Sequence, residues 1–269
     1  MIGAIIGDVV GSKYEFDNIK TKNFNLFSAG LKFTDDTVMT IAIFDALKKC
    51  KGNYKNLGDL SIKMMQAYGK KYPNESYGNM FRIWINSKNP KPYNSYGNGS
   101  AMRVSPVAYF AKNIDEVKLL SKIVTEVTHN HEEGLKGAEA TAVATFLALE
   151  GKSKEEIKQT ILSDYYDNID LFTYENLVKT YTFNETCQET VPQAIFCFLI
   201  SESFEDAMKT AVSIGGDSDT LAAITGAIAG AYYKIPTEIL NKLEYFIDKT
   251  ISKKITEFQK MFNFNNNKW

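Results

Sequence analysis

Cysteine is scarce in this 269-residue sequence, and no long apolar run is present. The three cysteines, Cys50, Cys187 and Cys197, are odd in number and far apart, which fits neither a disulfide framework nor a cysteine metal site. We therefore expect a reducing, cytoplasmic environment. The apolar stretch from residue 2 to 10 is interrupted by Asp8 and has no basic segment before it. It predicts neither a signal peptide nor a membrane span.

A charge excess of either sign is also lacking, because 31 basic side chains balance 32 acidic ones to a net charge of −1. This balance excludes an acidic tail and bulk binding of nucleic acid. Arginine is nearly absent, and only Arg82 and Arg103 interrupt the habitual use of lysine. An arginine in such a sequence suggests a need for the planar five-donor guanidinium. For Arg103, a phosphate partner and a surface anchor for the preceding loop both stay open.

What the sequence does contain is helical periodicity, and strand alternation is rare. Apolar residues recur at three- and four-residue steps in six segments: Thr37 to Leu47, Leu57 to Tyr68, Ile114 to Val127, Gly134 to Leu149, Val191 to Ile200 and Leu240 to Ile251. Asn113 and Ser153 are predicted N-caps. Tyr165 to Thr186 is the least helical stretch and is expected to form a loop. No linker or repeat divides the chain, so we expect one all-α domain over residues 1–269, with 263–269 as a frayed tail.

Two predicted helices carry a small residue at every fourth position: Gly3, Gly7 and Gly11 in the first, and Ala222, Gly226 and Gly230 in the second. Each helix therefore has one face that is nearly without side chains. Glycine inside a helix costs about 1 kcal/mol relative to alanine, but such a face lets two backbones approach closely. We expect these two helices to pack together at the centre of the protein.

Hydroxyl and carboxylate groups cluster at two predicted helix starts: Thr34, Asp35 and Asp36 at one, and Asp217, Asp219 and Thr220 at the other. One such cluster alone is more typical of helix capping. Together they offer four carboxylates and two hydroxyls, which are the oxygen ligands that Mg²⁺ or Mn²⁺ prefers. The sequence thus predicts two divalent ions that would position a substrate and activate water.

Other motifs for phosphate or calcium chemistry fit less well. The run beginning at Asp217 resembles the nucleophile loop of haloacid-dehalogenase-type phosphotransferases, but that loop follows a strand, and helices surround this one. An EF-hand counted from Asp217 would need ligands where Leu221 and Ile228 stand, and its glycine is Ala222. No phosphate-binding loop with its lysine is present.

Five motifs in order closely resemble the ADP-ribosylglycohydrolase family: Gly3-x-x-x-Gly-Asp-x-x-Gly-x-x-x-Glu, Thr34-Asp-Asp-Thr, Gly97-Asn-Gly-Ser-Ala-Met-Arg, Thr128-His and Gly215-Gly-Asp-x-Asp-Thr. The resemblance covers most of the chain. It implies a compact, single-domain, orthogonal helical bundle. It further implies a centre of two Mg²⁺ (or Mn²⁺) ions that cleaves the bond between ADP-ribose and an acceptor on a protein, nucleic acid or small molecule.

The resemblance also carries site residues over. The metal ligands it implies are Thr34, Asp35, Asp36, Asp217, Asp219 and Thr220. Glu15 matches a glutamate near the reacting ribose, and His129 matches a histidine that lines the cleft. The loop that wraps diphosphate and ribose corresponds to Ser95, Tyr96, Gly97, Asn98, Gly99, Ser100 and Met102, with backbone amides of Gly97 to Gly99 as phosphate donors.

Cleavage at the anomeric carbon develops oxocarbenium character, so the site needs negative charge and an activated water. We expect Glu15 or Asp35 to act as the base. Two alternatives stay open: a member that binds ADP-ribose, or serves a structural purpose, without turnover, and a metal-dependent phosphohydrolase. His131 and Glu132 are interpreted as first-turn residues of a helix. A monomer is the default, and specificity is expected from the loops at 18–32 and 165–186.

Overall fold

Fourteen α-helices form the protein in a computed structural model, which describes residues 1–262. In chain order they are α1 (Ile2–Gly11), α2 (Asp35–Cys50), α3 (Leu57–Lys71), α4 (Asn79–Asn86), α5 (Val107–Phe110), α6 (Ile114–Thr125), α7 (Glu132–Leu149), α8 (Lys154–Asp164), α9 (Tyr174–Thr180), α10 (Cys187–Ile200), α11 (Phe204–Ser213), α12 (Ser218–Tyr232), α13 (Thr237–Leu243) and α14 (Lys249–Met261). Over these residues the only pairing of strand type is one antiparallel bridge between Gly97 and Thr186. The all-α expectation is confirmed, and the predicted tail at 263–269 lies outside the described residues.

Helix starts follow their capping side chains. Asn113 accepts a hydrogen bond from the Glu116 amide, and Ser153 forms a complete capping box with Glu156, as predicted. The predicted single helix at 240–251 is wrong, because Asp248 accepts from two amides and begins a new helix, α14. The predicted loop at 165–186 is also partly wrong. It contains a short 3-10 helix at 169–171 and the two-turn helix α9.

The core is built around α1 and α12. Every residue of α1 is buried, and a Cβ atom placed at Gly3 would lie 2.0 Å from the carbonyl oxygen of Gly226. At Gly7 the same atom would lie 1.9 Å from the carbonyl oxygen of Ala222. The two backbones are therefore in direct contact, and the predicted pairing of the glycine-faced helices is confirmed. Helices α7, α10 and α11 pack around α12 and complete the centre.

Within residues 1–262, no helix combines the length and the apolar composition that crossing a membrane requires.

Substitution of Gly7 by alanine should strongly destabilise the protein. The added methyl group would overlap backbone atoms of α12 that cannot move aside, so we expect a loss of about 3 kcal/mol or more, at the upper end for overpacked cores. Gly58→Ala is the matched control, because its Cβ would meet only Ile123 and Val127 methyl groups at 3.8 and 3.9 Å. Urea midpoints measure both variants. Equal midpoints would show that α1 and α12 can separate without cost.

Candidate active site

Helix α1 brings the two acidic helix starts together. At its end, a Cβ atom placed at Gly11 would lie 2.3 Å from the carbonyl oxygen of Ser218 and 2.4 Å from Cα of Asp219. The hydroxyl of Ser218 donates to the Gly11 carbonyl at 2.9 Å. The first turn of α12 is thus fixed against α1, and the position of Asp219 depends on the missing side chain at Gly11.

Asp8 fixes the other helix start. This fully buried residue of α1 accepts hydrogen bonds from the amide and hydroxyl of Thr34, at 2.9 and 2.7 Å, and from the amide of Thr37 at 3.0 Å. Two backbone amides at the start of α2 therefore donate hydrogen bonds to a carboxylate of α1. Sequence analysis did not count Asp8 among the site residues. The available signal was a single charge inside an otherwise apolar helix.

Five carboxylates converge as a result. Oxygen atoms of Asp8, Asp36 and Asp219 lie within 4.8 Å of one another, and so do those of Glu15, Asp217 and Asp219. Asp219 belongs to both groups and links the start of α12 with both α1 and α2. The amide nitrogen of the Asn98 side chain donates to Asp217 at 2.7 Å and holds that carboxylate.

The electrostatics of this cluster are unfavourable for the protein alone. Burial raises the pKa of Asp36 and of Asp219 well above the usual range, and the charges of Asp8 and Asp217, respectively, raise it further. Burial, and then the charge of Asp8, raises the pKa of Asp35 to about 8. For Glu15, burial followed by the charge of Asp217 raises the pKa to about 7.

Cationic partners for these groups do not come from the described part of the chain. No lysine, arginine or histidine nitrogen of residues 1–262 lies within 4.0 Å of these carboxylates. One oxygen of Asp36 is buried and has no hydrogen-bond donor. A hard divalent cation would satisfy both deficits, because it binds carboxylate oxygens and offsets their charge. The residues therefore fit a metal centre.

The predicted ligands take different positions in this centre. Five of them line one cavity of about 370 Å³: Asp35, Asp36, Asp217, Asp219 and Thr220. Thr34 does not line it. Its hydroxyl donates to Asp8 and accepts from the Asp36 amide, as the N-cap of α2. Thr34 thus links the start of α2 to Asp8 without facing the cavity. The catalytic candidates Glu15 and Asp35 both line the cavity, together with Asp217.

Most of the predicted substrate-binding residues line the same cavity: Ser95, Gly97, Asn98, Gly99, Met102 and His129. Tyr96 and Ser100 do not line it. Ser100 is fully buried and donates to the Gly134 carbonyl at 2.9 Å, whereas the Tyr96 ring packs edge-on against His131 with 5.1 Å between the centroids.

The expected row of phosphate-binding amides needs correction. The amide of Gly97 donates to Ser95 Oγ at 3.2 Å, and the amide of Asn98 donates to the Glu185 carbonyl at 2.7 Å. Both amides are thus already used to shape the loop. They are not free donors for a phosphate in this structure.

Part of the cavity wall was not foreseen. Residues at the start of α4 and just before it line the cavity, and so do Tyr93 and Glu185; the α4 group is Ser76, Gly78, Asn79, Met80 and Phe81. The loop at 18–32 contributes no lining residue, and the stretch at 165–186 contributes only Glu185. We found no sequence signal for the α4 wall, because tertiary packing alone brings it to the cavity.

Arg103 is not a surface anchor. It is 2% exposed, lines the cavity, donates to the Thr128 hydroxyl at 2.6 Å and stands 5.5 Å from the centre of the Phe81 ring. Its Nε has no hydrogen-bond partner. The cavity wall therefore contains a buried guanidinium whose positive charge has no carboxylate partner within 4.0 Å among residues 1–262. Its charge is opposite to that of the acidic cluster in the same cavity.

The two histidines have different roles. Nδ1 of His129 pairs with the Thr128 hydroxyl at 2.8 Å, and burial, followed by the charge of Arg103, holds its pKa well below the usual range. His129 is therefore a neutral wall residue of the cavity. His131 accepts from the Glu133 amide as the N-cap of α7, which confirms its interpretation as a helix-start residue with Glu132.

The fold and the site define an all-α protein whose buried acidic centre fits divalent cations. The chain belongs to the ADP-ribosylglycohydrolase family, whose model matches residues 1–263. The ADP-ribosylhydrolase ARH3 of Homo sapiens is 28% identical over 87% of this chain and 84% of its own length. The ADP-ribosylarginine hydrolase Tri1 of Pseudomonas putida is 25% identical over 91% of this chain and 73% of its own length.

A solved structure supports the fold. The chain matches an ADP-ribosylglycohydrolase-related protein complex with a TM-score of 0.72, over 98% of this chain and 95% of the other, at 21% sequence identity. The similarity therefore concerns the fold over nearly the whole chain.

Removal of the Asp36 charge should separate the electrostatic repulsion within the cluster from the stabilisation that a bound cation provides. Without metal, Asp36→Asn relieves repulsion among buried carboxylates, so its melting temperature in EDTA should equal or exceed that of the wild type. Saturating Mg²⁺ should stabilise the wild type by about 2.7 kcal/mol at 100 times Kd, and Asp36→Asn far less. Differential scanning fluorimetry measures both.

The matched control is Asp45→Asn, which removes a buried carboxylate bound by Tyr68 and Lys254. Asp45 lies on α2 like Asp36, but about 13 Å further along the helix axis. It should melt at a lower temperature in both buffers and keep the full Mg²⁺ shift. An Mg²⁺ shift in Asp36→Asn as large as that of the wild type would contradict a role for Asp36 in metal binding.

Proposed function

We propose that this ADP-ribosylglycohydrolase hydrolyses the glycosidic bond between ADP-ribose and an acceptor at a centre that holds two Mg²⁺ or Mn²⁺ ions. The observation that carries the proposal is the group of carboxylates in the wall of a cavity of about 370 Å³, for which residues 1–262 supply no cationic partner within 4.0 Å. A cavity of this size suits a small-molecule ligand. The acceptor leaves the cavity once the bond to ribose is broken.

The chain offers a ligand set for such ions. Asp219 belongs to both groups of carboxylates and Asp36 to one of them, Asp35 and Asp217 line the same cavity, and Thr220 adds a hydroxyl. When bound, the ions supply positive charge that orients oxygen-rich groups and offsets the charge of the carboxylates. Asp8 already accepts three hydrogen bonds, so we assign it the task of holding α2 in place.

Glu15 is the residue best suited to accept a proton from water. It is only half-buried, lines the cavity and has a pKa raised to about 7, so its two protonation states are close in energy at neutral pH. Asp35 has a higher pKa, of about 8, raised by burial and then by the charge of Asp8. The surrounding carboxylates add negative charge, which favours an oxocarbenium-like transition state. Glu15 is therefore our assigned base, with Asp35 as the alternative.

The same cavity also carries groups for the rest of the substrate. Arg103 supplies a buried positive charge, and Phe81, Tyr93 and Met102 supply apolar surface. This combination suits an anionic ligand with an aromatic part, which describes ADP-ribose. The sugar would then lie between this wall and the acidic cluster.

The reaction products distinguish the proposal from its alternatives. Purified protein with Mg²⁺ should release free ADP-ribose from ADP-ribosyl conjugates, and a panel of arginine-linked and oxygen-linked acceptors would define the linkage. AMP or inorganic phosphate as the product would mean attack at phosphorus and a phosphohydrolase. Binding of ADP-ribose without any product from the panel would favour a binding protein.

Glu15→Gln should lower kcat by about 10² to 10⁴, the range for loss of a general base, and leave the affinity for ADP-ribose within a few-fold. Asp35→Asn tests the alternative base in the same assay. Glu132→Gln is the control, because Glu132 is exposed at the start of α7 and outside the cavity. Full turnover by Glu15→Gln with metals still bound would exclude Glu15 as the base.

A further inference from the structure

Glu15 belongs to a stretch of chain that has little to hold it. Between the end of α1 and residue 20 the backbone forms only turns and bends, and the neighbouring residues Phe16 and Asp17 point to solvent. The Phe16 side chain is 81% exposed. Nevertheless the Glu15 carboxylate lies with those of Asp217 and Asp219, from the other end of the sequence. A specific contact must hold the two segments at this distance.

The side chain of Asn18 provides such a contact. Its Nδ2 donates to the Gly216 carbonyl at 2.9 Å and also approaches the carbonyls of Glu15, at 3.2 Å, and Tyr14, at 2.5 Å. Its Oδ1 accepts from the Gly216 amide at 2.7 Å. The Asn18 carboxamide therefore binds both the amide and the carbonyl of Gly216, the residue before Asp217. It also binds the backbone carbonyl of Glu15, whose carboxylate lies beside that of Asp217.

The partner loop is shaped to receive this side chain. Gly215 and Gly216 have φ angles of 74° and 79°, in the left-handed region that favours glycine. A Cβ atom placed at Gly215 would lie 2.9 Å from Asn18 Oδ1 and 2.6 Å from Lys20 Nζ. Gly215 thus leaves the space into which the Asn18 carboxamide and the Lys20 side chain fit.

The other contacts made by residues 12–20 do not join the backbones next to the Glu15 and Asp217 carboxylates. Lys20 donates to the carbonyls of Tyr181 and Ile214, and Phe16 stacks on Phe183 with 5.9 Å between the centroids. Among residues 1–262, Asn18 is the one side chain that is hydrogen-bonded to the backbone of both Glu15 and Gly216.

We propose that Asn18 is a positioning residue, which holds the Glu15 carboxylate against Asp217 and Asp219 by joining the Glu15 and Gly216 backbones. The inference rests on the proposed function for what the site does, but the geometry of the contact is independent of the substrate. Without the carboxamide, the turn at 12–20 would sample other conformations. Glu15 would then spend less time in the cluster, with weaker metal binding and slower turnover.

Asn18→Ala should weaken the affinity for Mg²⁺ or Mn²⁺ about tenfold and lower kcat by about 10 to 100-fold, the range for residues that orient metal-site groups, with KM little changed. Isothermal titration calorimetry with the metal alone provides a readout besides activity. Asn23→Ala is the matched control, since Asn23 is exposed in the same loop. It should stay within twofold of the wild type in both measurements.

A double-mutant cycle with Glu15→Gln decides whether Asn18 acts through Glu15. Adding Asn18→Ala to Glu15→Gln should change metal affinity and kcat by less than about twofold. The same loss in both backgrounds would overturn the proposal, because it would place the effect at Asp217 or in folding. Wild-type behaviour of Asn18→Ala would overturn it as well.

A second variant covers the case in which Asn18→Ala does not fold. Asn18→Asp keeps the acceptor for the Gly216 amide and loses the donors to the Glu15 and Gly216 carbonyls. It should weaken metal affinity and kcat when Glu15 is present, and change both by less than about twofold in the Glu15→Gln background. If the wild type hydrolyses no ADP-ribosyl conjugate, the proposed function fails while calorimetry still decides the role of Asn18. If the wild type takes up no metal, the kcat cycle decides it.

Discussion

The direct backbone contact between α1 and α12 is the constraint on which the site depends. Because a Cβ at Gly7 or Gly11 would lie within 2.4 Å of α12 backbone atoms, the two helices have a single possible register at this separation. That register places the start of α12, and thus Asp219, beside the end of α1. Side-chain packing tolerates shifts of a few tenths of an ångström, whereas backbone contact does not. The precise position of Asp219 in the acidic cluster therefore originates in residues without side chains.

The acidic cluster opposes folding, and the helices around it hold it in place. Each ionised carboxylate in the cluster loses hydration and faces like charges, so the raised pKa values of Asp36 and Asp219 record a cost to the folded chain. The core can tolerate that cost because the backbone contact between α1 and α12 does not involve the carboxylates. A bound cation would replace the repulsion between the carboxylates with attraction of each carboxylate to the ion. Relief of that repulsion would then contribute to the affinity for the ion.

The sequence predicted the parts of the structure that depend on local pattern or on strict spacing. Periodicity and caps gave most helices, and the four-residue glycine spacing gave the central helix pair. It missed the break at Asp248, because a capping aspartate inside an apolar pattern is read as an exposed helix position. It also missed Asp8 as a site residue and the α4 wall with Phe81, since these depend on which elements meet in space. Arg103 was ambiguous for the same reason, because burial is a property of the fold.

The tasks of binding and of support are separated within the site. Thr34 and Asp8 are as deeply buried as the cavity-lining acids, yet their oxygens are occupied by hydrogen bonds within the protein. Asp36 instead keeps one oxygen without a donor. Within residues 1–262, the other oxygen of Asp36 accepts only two long hydrogen bonds, from the hydroxyls of Thr34 and Thr220 at 3.4 Å. A carboxylate oxygen without a donor gains more from a cation than one whose lone pairs are already used. The distribution of hydrogen bonds therefore favours Asp36 over Asp8 as the proposed ligand, although both lie in one group of oxygens.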